Sequence, residues 1–465
     1  MNYELLNAIN DAVWTYVVIT MLVGCALYFT WNLRAVQFTM LPTMLRNLFK
    51  PTKESLGDTG KVKTISSFQA FAISLSSRVG TGNLAGVASA IFVGGPGAVF
   101  WMWVMALLGA STAFMEATLA QLFKRQGRSS FYGGPAYYMK YGLKRPWMGI
   151  LFAILIIFGF GLANQLVQSN TLCEAISNAF HIPVNYVAMS IAVMTLLIIF
   201  GGVQRIARFC AWIVPVMAMG YILLAIYILF INITEIPAML SLIIRSAFGW
   251  EQAAGGAVGI AVMQGVRRGL FSNEAGEGSA PNAAATATIA HPVSQGLMQS
   301  LGVFTDTLVI CTCTAFIILL SGLYTKDYDG IILTRQAMEH HLGSFASWFL
   351  VAAIFMFAFS TIIANYFYGE TNIRFITHKH WALFVFRLLS GVTILLGGYM
   401  TLQQTWSIVD MAMALMTTLN LIAVVWLSKY VFRLLQDYLK QRKEGKEPVF
   451  HKDLFPDADL EAWEK

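Results

Sequence analysis

The chain is short of charge. Of its 465 residues only 12% are Asp, Glu, Lys or Arg, about half of the roughly 25% usual in a soluble globular protein. Long polar stretches are scarce too: 57% of residues are hydrophobic, mean hydropathy is +0.63, and apolar runs recur along nearly the whole length. A soluble domain of any size is thereby excluded, and the pattern is that of a polytopic membrane protein. Cysteine is rare. Cys25, Cys173, Cys210, Cys311 and Cys313 lie in or beside apolar runs without metal-ligand spacing, which suits packing. The histidines offer no metal site, since His340–His341 and the His378/His380 pair fall in short polar connections that read as solvated loops. HExxH and GxSxG are absent. No basic region precedes the first apolar run, Ala12 to Trp31, and no small-residue cleavage site follows it. It reads as a membrane helix and not as a signal peptide.

What the chain has in quantity is membrane spans. Eleven candidates run over about 11–33, 66–91, 98–123, 147–171, 184–203, 210–232, 253–289, 292–321, 346–369, 382–401 and 406–428, each near or above the ~20 residues that cross ~30 Å of hydrocarbon. Alternate connections are basic. Those from Arg34 to Lys63 and from Lys124 to Arg145, the pairs Arg205/Arg208 and Arg374/Lys379, and the tail from Lys429 hold 24 Lys and Arg between them. The intervening connections hold only Arg245, Lys326 and Arg335. The basic set is therefore expected on the cytoplasmic side, with the N-terminus outside and the C-terminus inside. The net charge of +7 is a topology signal, and nucleic acid is not expected as a partner.

The expected divisions are an N-terminal extra helix (1–33), a cytoplasmic interfacial segment (34–65), two units of five spans (66–232 and 253–428) and a cytoplasmic tail (429–465). Phe38, Leu41, Leu45, Leu48 and Phe49 suit a helix lying at the interface. The tail begins as a basic amphipathic helix, Lys429 to Lys446, and ends in an acidic segment without an apolar face, expected to be mobile.

Two spans are abnormal. The second contains SSRVGTGNLAG and the seventh RRGLFSNEAGEGSAP, each with charge and glycine at membrane depth. At an offset of 190 residues, Arg78, Asn83, Ala85, Gly86, Ser89 and Ala90 face Arg268, Asn273, Ala275, Gly276, Ser279 and Ala280. The two five-span units have opposite orientation. Gly-interrupted segments at corresponding places in two inverted halves point to a transporter binding site.

Irregular backbone in a membrane is tolerated only where it faces protein or a polar cavity. A broken helix exposes N–H groups that suit a carboxylate and C=O groups that suit a hard cation. Val79 to Gly82 is the segment expected to unwind, with Gly80 and Gly82 admitting a ligand close to the main chain. Gly269, Gly276 and Gly278 are expected to do the same around Phe271, Ser272 and Asn273. Helix packing is the competing reading of the first glycines. GTGNLAG also imitates a dinucleotide fingerprint, but lacks its βαβ context.

Arg78, Arg268, Glu116 and Glu274 are candidates for ion pairing or gating, with Glu274, Glu277 and Glu116 as partners for Arg78. Asp306 and Asp410 suit local polar contacts. Asn164, Gln165, Gln168 and Asn170 could line a ligand path from span four, Asn164 and Gln168 sharing a face at i, i+4. Ser360 and Thr361 either bond back to their own helix or ligate a cation. A channel would need a ring of repeated carbonyls or charges, and the two unlike breaks do not make one. An intramembrane enzyme built on Ser272 or Ser279 with Glu274 lacks any nucleophile–base signature. No enzymatic activity is expected.

GTGNLAGVASAI, FYGGPAYYM and above all RGLFSNEAG followed by GSAPNAAA resemble the alanine/glycine:cation symporter family, from about Ser66 through span eleven. The resemblance implies an all-α protein of eleven transmembrane helices in the bacterial cytoplasmic (inner) membrane: one extra helix, then a five-plus-five inverted-repeat core like that of leucine transporters, with two discontinuous helices. It implies symport of alanine, glycine or a related small neutral amino acid (D-alanine, serine) with Na⁺, H⁺ being the alternative ion, and no protein partner. Val79, Gly80, Thr81, Gly82, Asn83, Phe271, Ser272 and Asn273 would then hold the α-carboxylate and α-amine, with Gln168 approaching from span four. The carbonyls of Ser76 and Val79, the hydroxyls of Ser360 and Thr361, and Asn83 would hold Na⁺. Two residues depart from the family pattern: Arg78 stands where many members carry a small uncharged residue, and Asn365, near the inferred substrate site, where they carry tryptophan.

Overall fold

The computed structural model describes residues 3–49, 65–127, 130–249 and 255–463. Residues 50–64 of the interfacial segment and 253–254 at the start of the second five-span unit lie outside the described residues. Among the described residues, every regular element is helical apart from one two-residue hairpin, Arg125–Gln126 against Phe131–Tyr132.

Eight helices among the described residues are long and apolar enough to cross a membrane: Ala8–Asn32, Gly97–Leu122, Pro146–Phe180, Gly202–Ile231, Val293–Leu320, Phe345–Ile376, His380–Gly397 and Gln403–Lys443. Thr81–Gly94, Val184–Ile199 and Ile236–Ala247 are shorter and apolar. Expected span two is divided into Ser67–Arg78 and Ala85–Gly94. The first of these starts at a reciprocal cap: Ser66 Oγ accepts from Gln69 N–H (3.1 Å) and Gln69 Oε1 accepts from Ser66 N–H (3.0 Å). Expected span seven is divided into Gly255–Asn273 and the short Pro281–Ala284.

The helices fall into two packed groups. Gly97–Leu122 packs along Gly255–Asn273 and Val293–Val303, where small residues let the backbones approach: a Cβ on Gly265 would lie 2.5 Å from the Ala98 carbonyl oxygen. Pro146–Phe180 packs along Phe345–Ile376 and His380–Gly397, and the first two meet at Gly161 and Gly369. The first broken helix runs between these groups, Ser67–Arg78 packing on both Phe345–Ile376 and Val293–Val303, while Gly255–Asn273 belongs to the first group. Ala8–Asn32 lies outside them, tied to the last helix by Asn10 (to Ser407 O, 3.0 Å) and Trp14 (to Asp410 O, 3.1 Å).

Two connections between the expected spans contain helices, Ile236–Ala247 and Gly330–Leu342, and His340–His341, expected in a solvated loop, end the second of them. Both brace the first broken helix and its exit. Ser246 Oγ accepts from Gly97 N–H (3.0 Å), and Thr334 donates to the Leu84 carbonyl (3.0 Å), which also accepts from Ala88 N–H (3.3 Å) as the helix resumes.

The acidic end of the chain is docked, contrary to the expectation of mobility. Phe455, Leu460 and Trp463 are buried, Phe450 N–H donates to Ala290 O (2.9 Å), and Arg125 pairs with Asp459 (2.8 Å). Phe450, Phe455, Leu460 and Trp463 recur at neither helical nor strand period, so no amphipathic face is visible in sequence. They pack instead as an irregular strap. Beneath it Lys124 is buried, donating to Ala287 O (2.9 Å) under the rings of Phe131 (4.2 Å) and Trp463 (4.8 Å). Burial pushes its ammonium down from 10.5 to about 7. Between those values the unfolded chain binds more protons than the folded one, so stability rises with pH. The thermal midpoint of purified protein is expected to climb from about pH 7 to about pH 9.5, and to climb less in Lys124→Met. Equal slopes in the two proteins would show that Lys124 is not the source.

Candidate functional site

The first break begins where glycine replaces side chain. Helix Ser67–Arg78 stops at Val79, Gly80 is extended, one 3₁₀ turn covers Thr81–Asn83, and a helix resumes at Ala85. The carbonyls left without helical partners turn toward helix Phe345–Ile376. Thr361 Oγ1 donates to Ser76 O (2.7 Å) and lies 3.4 Å from Ser77 O and 3.5 Å from Val79 O. One hydroxyl oxygen thus sits among three backbone oxygens, a donor set suited to a hard monovalent cation. Ser360 behaves differently. Its hydroxyl bonds back to Phe357 O (3.0 Å) on its own helix, the packing alternative, and does not reach the break.

On its other side the break is held by amides. Gln168 Oε1 accepts from Thr81 N–H (3.0 Å) while its Nε2 donates to Asn164 (2.9 Å), the i, i+4 pair expected from the sequence. Asn83 Oδ1 accepts from Gly80 N–H (2.9 Å) and its Nδ2 donates to Asp306 (2.7 Å). Thr81 Oγ1 is buried without a partner among the described residues. Gln165 and Asn170 serve the packing: Gln165 bonds Gly161 O and Ser390, and Asn170 bonds Gly397 O and Met400 O.

The second break starts later than the glycine pattern suggests. The helix runs unbroken through Gly269 to Asn273, so Phe271, Ser272 and Asn273 form its last turn. Irregular backbone begins at Glu274 (φ +57°) and continues through Gly276 (φ +103°) and Gly278 (φ +79°). Both glycines occupy left-handed conformations that a side chain would strain. Gly269 packs against Met102 at ordinary contact distance and needs no unwinding. The break is caged by Glu116 and Asn420: Gly276 N–H donates to Glu116 Oε2 (3.1 Å), Asn420 Nδ2 donates to Gly276 O (2.9 Å), and Asn420 also donates to Glu116.

The two broken helices meet face to face. A Cβ on Gly82 would lie 2.8 Å from the Phe271 ring and 3.5 Å from Ser272 Cα. Gly80, Thr81, Gly82 and Asn83 therefore converge with Gln168, Phe271, Ser272 and Thr361, while Asn273 stands one layer back, donating to Thr307 (3.2 Å). Asn365 lies outside this group. It faces Ser77 (2.6 Å), whose hydroxyl also donates to Glu274. Glu274 in turn accepts from Ser279 (2.5 Å).

Arg78 finds none of its expected carboxylates. Its Nη1 donates to the Gln299 carbonyl (3.1 Å), and it forms no ion pair with Glu274, Glu277 or Glu116. Gly302 makes the space, since a Cβ there would lie 2.1 Å from the guanidinium. Arg268 does form a pair, with both oxygens of buried Asp410 (3.2 and 3.3 Å), and stacks on Trp406 (4.0 Å), which packs edge-on against Phe271 (4.4 Å). Asp306, expected only to satisfy local polar contacts, lies at the meeting of the two breaks. It contacts Asn83, Ser272 and Thr307, and its signal was an acid in mid-span.

Residues 1–452 match a family model described as the sodium:alanine symporter family. The chain is 49% identical over 458 residues to the probable sodium/glutamine symporter GlnT of Bacillus subtilis (strain 168), covering 98% of this chain and 94% of that protein. It is 46% identical over 463 residues to the amino-acid carrier protein AlsT of the same strain, covering 99% and 97%. A crystal structure of the Eremococcus coleocola manganese transporter superposes with a TM-score of 0.51 at 12% identity, over 86% of this chain and 84% of that one. At that identity the likeness concerns the fold alone.

Proposed function

The chain belongs to the sodium:alanine symporter family, and on that premise we propose that it carries a small neutral amino acid, alanine or glycine, into the cell together with Na⁺. The observation that carries this reading is the meeting of two broken helices with Thr361 seated on the carbonyls of the first. In it Na⁺ binds among the oxygens of Ser76, Val79 and Thr361. The amino acid lies against Gly80 to Asn83, Gln168, Phe271 and Ser272. Because Na⁺ ties helix Phe345–Ile376 to the first break, its binding favours the state that takes substrate.

The architecture in this proposal is eleven transmembrane helices, with 66–232 and 253–428 as inverted five-helix repeats around the site. The N-terminus lies outside and the tail is cytoplasmic, as the basic connections suggest. The Arg268–Asp410 pair, stacked on Trp406 above Phe271, serves as a gate on one side of the substrate. One Na⁺ entering down about 100 mV and a tenfold gradient supplies roughly 2.3 and 1.4 kcal/mol, enough for a few-hundredfold accumulation.

The test is initial uptake into proteoliposomes with inward NaCl or choline chloride at constant pH, competed by alanine, glycine, serine, D-alanine and glutamine. Uptake of alanine or glycine is expected only with NaCl. Equal uptake in choline would remove Na⁺ from the account, and competition by glutamine alone would remove the small substrates.

A further inference from the structure

Asp306 is a buried carboxylate at the seam of the two broken helices. Oδ1 accepts from Asn83 Nδ2 (2.7 Å) on the first, and Oδ2 accepts from Ser272 Oγ (2.7 Å) on the second and from Thr307 Oγ1 (2.8 Å). Among the described residues no Lys, Arg or His forms an ion pair with it. Glu274 and Glu277 also lack an ion pair among the described residues, but Asp306 is the acid that touches Asn83 and Ser272, on the two broken helices where they meet. Asp410 has Arg268, Glu370 has Arg374, and Glu116 is engaged by a backbone N–H and an amide in the cage of the second break.

The local backbone presents this group to the site. Phe304–Cys311 is a π-helical stretch, a widened turn often found at functional positions. It turns Asp306 and Cys311 to the same place, with Cys311 Sγ 3.3 Å from Asn83 Nδ2 and 3.1 Å from Ser272 Oγ. Asp306 has three hydrogen bonds and the charge of Arg78 nearby, but no cation in direct contact, and a buried carboxylate without one is stabilised when a positive charge joins it. The surrounding groups suit one. Ser272 and Thr307 hydroxyls can rotate their protons away and offer lone pairs, giving a cluster of hard oxygens around a formal negative charge.

We propose that Asp306 anchors a second cationic position between the broken helices, distinct from the Thr361 oxygens, which takes one monovalent positive centre: a Na⁺ ion or the α-ammonium of the amino acid. This rests on the transport reading above and names the group that answers the charge of the cargo. Asn83 links the two positions, since its Oδ1 caps Gly80 in the first break while its Nδ2 touches Asp306. Filling the Asp306 position therefore reshapes the break that faces Thr361.

The experiment uses purified wild-type, Asp306→Asn and Ser272→Ala proteins. Thermal midpoints are titrated with NaCl against choline chloride at equal ionic strength, and with alanine, glycine, serine or glutamine at fixed NaCl. If the centre is Na⁺, Asp306→Asn flattens the Na⁺ response without amino acid, and the Hill coefficient falls from near two toward one. If it is ammonium, the Na⁺ response is kept and amino-acid affinity falls by about tenfold or more. Should Asp306→Asn not yield monodisperse protein, Ser272→Ala is read in the same way, because it removes one oxygen and leaves the charge. Affinities for both Na⁺ and amino acid within about twofold of wild type overturn the proposal. Wild type that binds both without accumulating amino acid in vesicles sinks the transport reading and leaves the site standing. Wild type that responds to neither sinks both.

Discussion

Gly80→Ala is expected to abolish coupled uptake in a protein that still folds and inserts. The added Cβ would lie 2.5 Å from Thr361 Oγ1 and 3.0 Å from Gln168 Oε1. Those two atoms hold the broken segment on its two sides, so relief of the clash pushes away either the proposed cation ligand or the amide that bonds Thr81. The backbone at Gly80 is extended, so the harm comes from lost space and not from conformational strain. A fall in uptake of at least about a hundredfold is expected, equivalent to roughly 2.8 kcal/mol of lost coupling. Gly86→Ala is the control. Its nearest neighbour is Trp406 at 3.8 Å, an ordinary contact, and it should transport at near wild-type rate at equal membrane level. If Gly80→Ala transports as well as Gly86→Ala, the first break is not the site.

Thr361→Val should raise the Na⁺ concentration for half-maximal uptake by about tenfold or more, while the fold is kept. Valine preserves the branched shape in a helix interior and removes only the hydroxyl that meets Ser76 O, Ser77 O and Val79 O. Apparent substrate affinity at saturating Na⁺ should change much less, because Thr361 touches the carbonyl side of the break and Gln168 and Asn83 hold the other. A smaller effect is expected of Ser360→Ala, whose hydroxyl is spent on Phe357 O. Loss of amino-acid affinity with an unchanged Na⁺ profile would instead place Thr361 on the substrate.

The first break was legible in sequence because it carries its cause locally: Gly80-Thr81-Gly82 cannot hold a helix against the pull of Gln168 and Thr361. The second was misplaced by several residues. Gly269 looks like Gly276 and Gly278 in a string of letters, yet it packs on Met102 within a continuous helix while the other two adopt left-handed backbone. Only tertiary contacts separate these uses. Arg78 misled for a related reason. An intramembrane arginine suggests a carboxylate partner, but a backbone carbonyl at Gln299, with the space left by Gly302, gives the guanidinium a neighbour that has no sequence signature. The docked tail was hidden because its four apolar side chains follow no period. Asp306 was visible but read as ordinary polar packing, since its contacts with Asn83 and Ser272 join residues 223 and 34 positions away.

The central claim is that the paired breaks form one site through which Na⁺ drives an amino acid inward. Its most direct test is the accumulation ratio in sealed proteoliposomes with an inward Na⁺ gradient and an inside-negative potential. The account predicts that internal alanine or glycine rises to tens or hundreds of times the external level and falls back when a Na⁺ ionophore collapses the gradient. Internal amino acid that only equals the external level, with or without the gradient, would contradict it.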